Sequence, residues 1–349
     1  MHVATVLGDL GYPSLLVESS TELGGRVRRL SGTFPFFGDP GFSDGEAFAA
    51  EIEADMRARA SVDVRLETTL AGLEGEAPHF RAALSDGTDE PVSAVVVATG
   101  FEPFDPSDLE EYGYRRYANV VTAPELEWML STRGPTGGEL ERPSDGGPVN
   151  RLAIVFCVGS RNRRIGAPFC SRICCSYSTK QALMVQKRNP DAEVVCFYMD
   201  VRTYDRGFEE MFALAQERGI RYIRGRVSSC KELPGGDILV RAENTLMQRV
   251  VHDRFDMVSL STGMRPCLHV DELSRTLGIG RAPDGFFASR AWFRYPHDST
   301  RMGIFIAGCA TGMKPIRNCI GDGNAVAARI AALLRSSSSD PVVAARSGV

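Results

Sequence analysis

The chain has 349 residues, 43% of them hydrophobic and 24% charged, which suits two globular domains with a core each. A formal net charge of -4 and a pI near 5.9 provide no basic surface for nucleic acid or an anionic membrane. No apolar run reaches the roughly eighteen residues of a bilayer-spanning helix, and no signal peptide opens the sequence, so a cytoplasmic location is expected.

In chain order, residues 1–10 read as a helix that Gly11 ends. Residues 14–18 are then a short buried strand closing on Glu18. In a βαβ nucleotide unit the acid at the end of the second strand holds a ribose; on its own, a strand-end acid is more often a solvated turn. Leu23-Gly24-Gly25-Arg26 follows, a glycine pair where backbone can approach a ligand, with Arg26 suited to phosphate. Together these features read as the first half of an FAD-binding domain. The G-x-G-x-x-G fingerprint and its strand should precede the first helix, and the sequence starts inside that helix. A truncated start is the expectation; the alternative is a dinucleotide held without the usual phosphate loop.

Phe34-Pro35-Phe36-Phe37-Gly38-Asp39-Pro40 reads either as a pocket-lining loop or as a surface loop tucked on the core. Residues 48–58 suggest a helix, 62–67 a strand and 70–84 a hairpin. Residues 94–100 form a continuous apolar strand of the buried parallel kind, ending in Ala98-Thr99-Gly100, small enough for close approach of a ligand. Residues 133–150, rich in Gly, Pro and Ser, read as a linker, and a second domain opens at Arg151.

The second domain's first strand, 151–156, runs into Cys157-Val158-Gly159-Ser160-Arg161 where an NAD(P) domain would carry a glycine fingerprint. Pro168-Phe169-Cys170-Ser171-Arg172-Ile173-Cys174-Cys175 follows. Four of the nine cysteines thus fall within nineteen residues, and the odd, otherwise scattered set does not resemble a disulfide scaffold. Cys174 and Cys175 open a helical segment, 176–188, so three thiols lie before or on a helix N-terminus, with Arg161 and Arg172 close in sequence. Thiolates are stabilised in such surroundings. Cys157, Cys170, Cys174 and Cys175 therefore suit an iron–sulfur cluster. Zinc is a competitor, although its sites usually pair two knuckles, and buried inert thiols are the plain alternative.

The α/β alternation continues with a strand at 194–198, a helix at 208–217, a strand at 220–223 and a hairpin over 238–251. Residues 256–263, ending Ser261-Thr262-Gly263, echo the earlier Thr99-Gly100 strand, as two duplicated Rossmann-like domains would, the second inserted in the first. Residues 303–312 return to the first domain, followed by Lys314-Pro315-Ile316 and a helix over 323–334. Gly308-Cys309 stands where flavoproteins commonly have Gly-Asp, so a carboxylate contact to the ribityl chain is not expected. Residues 336–349 read as a disordered tail.

The strings Cys-Val-Gly-Ser-Arg (157–161), Cys-Ser-Arg-Ile-Cys-Cys (170–175) and Leu-Ser-Thr-Gly-Met (260–264) carry a resemblance to the A-type flavoprotein subunits of heterodisulfide reductases. The related subunits of sulfur oxidisers and of the quinone-interacting oxidoreductase of sulfate reducers are similar. The resemblance runs from about Leu7 to Leu334. It implies an α/β fold of two Rossmann-like domains of the pyridine-nucleotide-disulfide-reductase type: 1–132 with 295–335 for FAD, and 151–294 for the cysteines. It further implies a [4Fe–4S] cluster on Cys157, Cys170, Cys174 and Cys175, and FAD near Glu18, Gly24, Gly25, Arg26, Ala98, Thr99, Gly100, Gly308, Cys309, Lys314 and Ile316. Electrons would pass to partner B- and C-type iron–sulfur subunits, and a homodimer is a further expected assembly. Lys180 matches a lysine near the flavin ring in that family, where a cation favours reduced flavin; a solvated helix lysine is the alternative. The ferredoxin-type cysteine runs of larger members are absent from this sequence, which puts electron bifurcation in doubt. Two other functions compete: a self-sufficient NAD(P)H-dependent disulfide reductase, for which neither a C-x-x-C pair nor a second fingerprint is present, and a zinc-stapled interaction protein of the same complex.

Overall fold

The computed structural model describes residues 1–33 and 44–338, without the side chains of the last two; the aromatic loop 34–40 and most of the expected tail lie outside the described residues. The chain divides into two compact units. The first comprises Met1–Gly25, Ala49–Glu102 and the chain from Arg265 on; the second comprises Arg26–Phe48 and Pro103–Met264. The longer piece of the second unit thus interrupts the first.

The first unit opens with helix α1 (His2–Asp9), which ends at Gly11 in the left-handed region (φ +82°). Strand β1 (Ser14–Val17) pairs in parallel with β2 (Val62–Arg65). Helix α2 (Gly45–Arg57) joins them; the Asp44 carboxylate accepts the Glu46 and Ala47 N–H groups and so starts it. The hairpin expected over 70–84 is present as β3 (Leu70–Glu76) and β4 (His79–Leu84), with β5 (Asp89–Val92) as a third antiparallel strand. Strand β6 (Val95–Val97) is the last of the unit before the chain enters the second.

The second unit is built on a parallel sheet of β7 (Val120–Thr122), β8 (Arg151–Val158), β9 (Glu193–Tyr198), β10 (Arg221–Arg224) and β14 (Met257–Thr262), in the order β10-β9-β8-β14-β7. Helices α3 (Ala123–Leu130), α4 (Cys174–Arg188) and α5 (Phe208–Glu217) alternate with its strands, and an antiparallel sheet of β11 (Val227–Glu232), β12 (Ile238–Asn244) and β13 (Arg249–Phe255) precedes β14. Alternation along β8 explains the layering. Leu152, Ile154 and Phe156 pack with Leu126, Leu183 and Met211 of the helices, whereas Ala153 and Val155 pack with Ile238, Val240 and Phe255 of the antiparallel sheet. Both faces are covered, which is why β8 is apolar from Leu152 to Val158 and why every residue of β14 is buried, Ser259, Ser261 and Thr262 included.

Residues 103–150, read from sequence with the first domain and its linker, fold with the second unit. The physical reasons are that β7 extends its sheet and that Arg142 pairs with Asp237 at 2.8 Å. Residues 265–294, read with the second domain, fold with the first. There α6 (Val270–Leu277) buries Val270 and Leu277 against Phe80 and Ile304. After β15 (Ser289–Ala291) and β16 (Tyr295–Ser299), strand β17 (Ile304–Ile306) pairs in parallel with β6. Helix α7 (Ile316–Ser338) begins seven residues before the expected 323 and runs through Gly321 and Gly323. Gly323 is there for packing: a β carbon on it would lie 2.9 Å from the His2 ring of α1.

Candidate cofactor sites

In the second unit, β8 ends in a thiol loop folded back on itself. The Arg161 N–H donates to the Phe169 carbonyl (2.8 Å), and Asn162 and Ala167 exchange both backbone bonds (2.7 and 3.0 Å). That closure carries Cys170 back towards the loop that follows Cys157. Gly263, at the end of β14, lets the segments approach: a β carbon there would lie 2.8 Å from Ser171 Oγ and 3.0 Å from the Gly159 carbonyl oxygen. Helix α4 then starts on Cys174 and Cys175 themselves, with no side chain capping it.

Three residues of this segment other than glycine take positive φ: Cys157 (+62°), Arg161 (+53°) and Arg172 (+63°). Such left-handed backbone is unfavourable for residues with a β carbon and collects where a ligand or a reaction requires it. The thiols are held unequally. Hydrogen bonding from the Cys174 thiol, aided by the Arg161 guanidinium, lowers Cys157 to about 7. Cys174 itself is pushed well up, first by its thiol neighbours and then by burial. Cys175 is lowered, again chiefly through Cys174, and its thiol donates to the Asp200 carbonyl at 3.8 Å. Cys170 stands slightly apart, its sulfur accepting the Arg172 N–H at 3.3 Å. Arg161 is ion-paired to Asp200, and Arg172 donates to the Tyr204 hydroxyl at 2.9 Å. Among the described residues no group of three or more Cys, His, Asp or Glu side chains is arranged to hold a single metal ion. The chemistry of the donor set, four cysteine thiols of one loop, three of them sharing protons, beside guanidinium groups, does fit an iron–sulfur cluster.

Lys180 is not the solvated lysine that its helix position also allowed. It is 3% exposed, ion-paired to Glu127, and donates to the Gly32 carbonyl at 2.7 Å. Glu127 also accepts the Ser31 N–H (2.8 Å), the Ser31 hydroxyl (2.7 Å) and Gln181 Nε2 (2.8 Å). The lysine charge is thus compensated within its own unit, and it ties residues 31–32 to α4. Sequence reasoning missed Glu127, although the capping box of Thr122 and Glu125 marks the start of its helix.

In the first unit the expected cofactor residues lie past the carboxyl ends of parallel strands, the edge where open α/β sheets bind ligands. Glu18 follows β1 and turns back to accept the Ser20 N–H and hydroxyl, both at 2.9 Å. Gly24 and Gly25 have φ of +101° and +51°, and a β carbon on Gly25 would meet nothing within 4 Å. Arg26 is the first residue of the second unit. Ala98, Thr99 and Gly100 follow β6, with Gly100 at φ +71° and open space around it. Thr99 Oγ1 accepts from the Cys267 thiol at 3.3 Å. The register of β6 with β17 sets this turn beside Gly308 and Cys309, whose thiol meets Cys319 and lies 3.5 Å from the Lys314 carbonyl. Lys314 is ion-paired to Asp322, and Ile316 opens α7 half-buried. Open glycines at strand ends are the cradle that a dinucleotide needs, so these residues fit FAD.

Two such α/β units, one interrupting the other, define the fold class of the two-domain dinucleotide-binding disulfide reductases. The T. acidophilum thioredoxin reductase shares that fold with a TM-score of 0.63, covering 94% of this chain and 93% of its own at 13% identity. No family model matches the sequence. The A-type subunit of the H2:CoB–CoM heterodisulfide,ferredoxin reductase of Methanothermobacter thermautotrophicus is 41% identical over 241 residues, 69% of this chain and 37% of the relative. One of the A-type iron–sulfur subunits of the CoB–CoM heterodisulfide reductase of Methanopyrus kandleri is 42% identical over 248 residues, 70% of this chain and 38% of the relative. Across that matched stretch the chain belongs to the family of heterodisulfide reductase A-type subunits. It spans less than two fifths of the length of these relatives.

Proposed function

We propose that the chain is an electron-transfer oxidoreductase component of a heterodisulfide-reductase-like complex, with FAD in the first unit and a [4Fe–4S] cluster on Cys157, Cys170, Cys174 and Cys175 of the second. The observation that carries the reading is the thiol loop: strained backbone, four cysteines and guanidinium groups stand where a nicotinamide domain would have its phosphate loop, and the relatives are named as heterodisulfide reductase subunits. When bound, a flavin takes up electrons in pairs and a cluster passes them singly, which is the chemistry such a pairing supplies.

The chain's own residues have defined parts in this reading. Glu18 would accept from a ribose hydroxyl once its carboxylate swings from Ser20, and Gly24, Gly25, Gly100 and Gly308 would admit the cofactor close to the backbone. Lys314, held by Asp322, would lie on the cofactor's side of the first unit. The Cys174 thiol, with Arg161, favours the thiolate form of Cys157, and Cys174 does the same for Cys175. With its charge met by Glu127, Lys180 would position the 31–32 segment, and any influence on flavin would be exerted through that network. B- and C-type iron–sulfur subunits are the proposed partners, with a homodimer as a further assembly and the cytoplasm as the proposed location. No helix among the described residues is long and apolar enough to cross a membrane.

The test is an anaerobic absorption spectrum of the reconstituted chain with iron and zinc assays. About four irons per chain with iron–sulfur absorbance, lost in Cys174→Ala, is the expected result. Zinc without a chromophore would overturn the reading.

A further inference from the structure

Cys309 and Cys319 have no part in the cluster site, yet their sulfurs lie 3.7 Å apart. Cys309 sits on the 3-10 turn Gly308–Thr311 that follows β17, and Cys319 lies in the first turn of α7. Both are half-buried, so solutes can reach them. Gly308, at φ +60°, brings the turn against the helix: a β carbon on it would lie 3.6 Å from both Cβ and Sγ of Cys319. The two sulfurs differ in character. The Cys319 thiol, with help from the Lys314 backbone and ammonium, holds Cys309 below the usual thiol range. The same hydrogen bond, together with burial, pushes Cys319 well above it. Lys314 is itself fixed by Thr311 and Asp322.

We propose that Cys309 and Cys319 form a thiol–disulfide exchange site for low-molecular-weight disulfides, with Cys309 as the attacking thiol and Cys319 as the resolving one. In the first step the Cys309 thiolate attacks one sulfur of the substrate. The substrate S–S bond breaks, a mixed disulfide forms on Cys309, and the departing thiolate takes a proton. In the second step Cys319 gives up its proton and attacks the Cys309 sulfur, releasing the other substrate half as a thiol. One substrate disulfide is reduced to two thiols, and two protein thiols are oxidised to one disulfide. The sulfurs need only close from 3.7 Å to the disulfide bond length of about 2.05 Å. An attacking thiol held low by its neighbours beside a partner that keeps its proton is an arrangement suited to this exchange. The proposed cluster's cysteines belong to the other unit, and this pair shares Gly308, Cys309 and Lys314 with the residues read for FAD.

The experiment equilibrates the full chain anaerobically with mixtures of reduced and oxidised glutathione, quenches with acid, and maps every thiol by alkylation and peptide mass. The expected result is a cross-link between the Cys309 and Cys319 peptides, reversed by dithiothreitol. Cys319→Ala should trap glutathione on Cys309 as a stable mixed disulfide, and Cys309→Ala should give no cross-link. No cross-link in the unaltered chain overturns the proposal without reference to any variant. Absence of the trapped adduct on Cys309 in Cys319→Ala overturns the assignment of roles.

Discussion

Cys157 takes a backbone conformation that its β carbon resists, and nothing in its packing requires a cysteine there: it is a buried residue at the end of a strand whose core positions are valine, isoleucine and phenylalanine. Its thiol chemistry is the remaining reason for its presence. At the same scale, Lys180 and Glu127 are 3% and 5% exposed, so removing one charge leaves the other buried without its partner. Glu127→Ala is expected to cost about 3 kcal/mol in urea unfolding, whereas Glu127→Leu combined with Lys180→Met should cost less than the single change. A double variant worse than both singles would contradict this account. The Cys309 thiol titrates below its ordinary value because Cys319 donates to it. Thiolate is the reactive form, so the pH midpoint of Cys309 alkylation should lie below that of a free thiol. Cys319→Ala removes the donor and should move that midpoint upward; an unmoved midpoint would show that the pair is only a contact.

At the scale of elements, the thiol loop depends on Gly159 for its shape. Its φ is +75°, and a β carbon there would lie 2.1 Å from the Phe104 ring. Gly159→Ala is therefore expected to destabilise the chain by about 2 kcal/mol and to reduce the iron retained on reconstitution, read by thermal unfolding and metal assay. Retained iron with unchanged stability would mean that the loop can take another path. Short apolar runs bounded by breakers made the strands within 14–18, 94–100 and 151–156 legible, the Ser-Thr-Gly echo of Thr99-Gly100 marked the one within 256–263, and the helix at 208–217 was also legible. The cysteine spacing made the thiol loop legible as well. Helix α7 starts earlier than expected because Gly321 and Gly323 lie inside it, Gly323 against the His2 ring. The unit boundaries were misread because β7 and α6 declare their partners only through long-range pairing. The Cys309–Cys319 contact left no local signal, since a turn and a helix ten residues apart bring it about.

Across the whole molecule the two units are built differently. The second has one five-stranded sheet in which every residue of β14 is buried. The first has two separate parallel pairs, β1 with β2 and β6 with β17, and β1 is only half-buried along its length. Amide hydrogen exchange followed by mass spectrometry should accordingly be at least ~10-fold faster for residues 14–17 and 95–97 than for 153–157 and 258–261. Equal protection would imply a sheet continuity that the strand pairing lacks. One element that joins the first unit's pairs is α1: Ala4 packs with Leu23 and Met56, next to Leu16 and Val64, while Leu7 packs with Phe305, Val326 and Ile330. A helix of eight residues cannot hold itself together in water. It can persist only while both flanks are in place. The shortest helices of the unit thus include a latch: a cavity at Leu7 should loosen β1 and β2 as well, although their apolar side chains belong to the other flank's cluster.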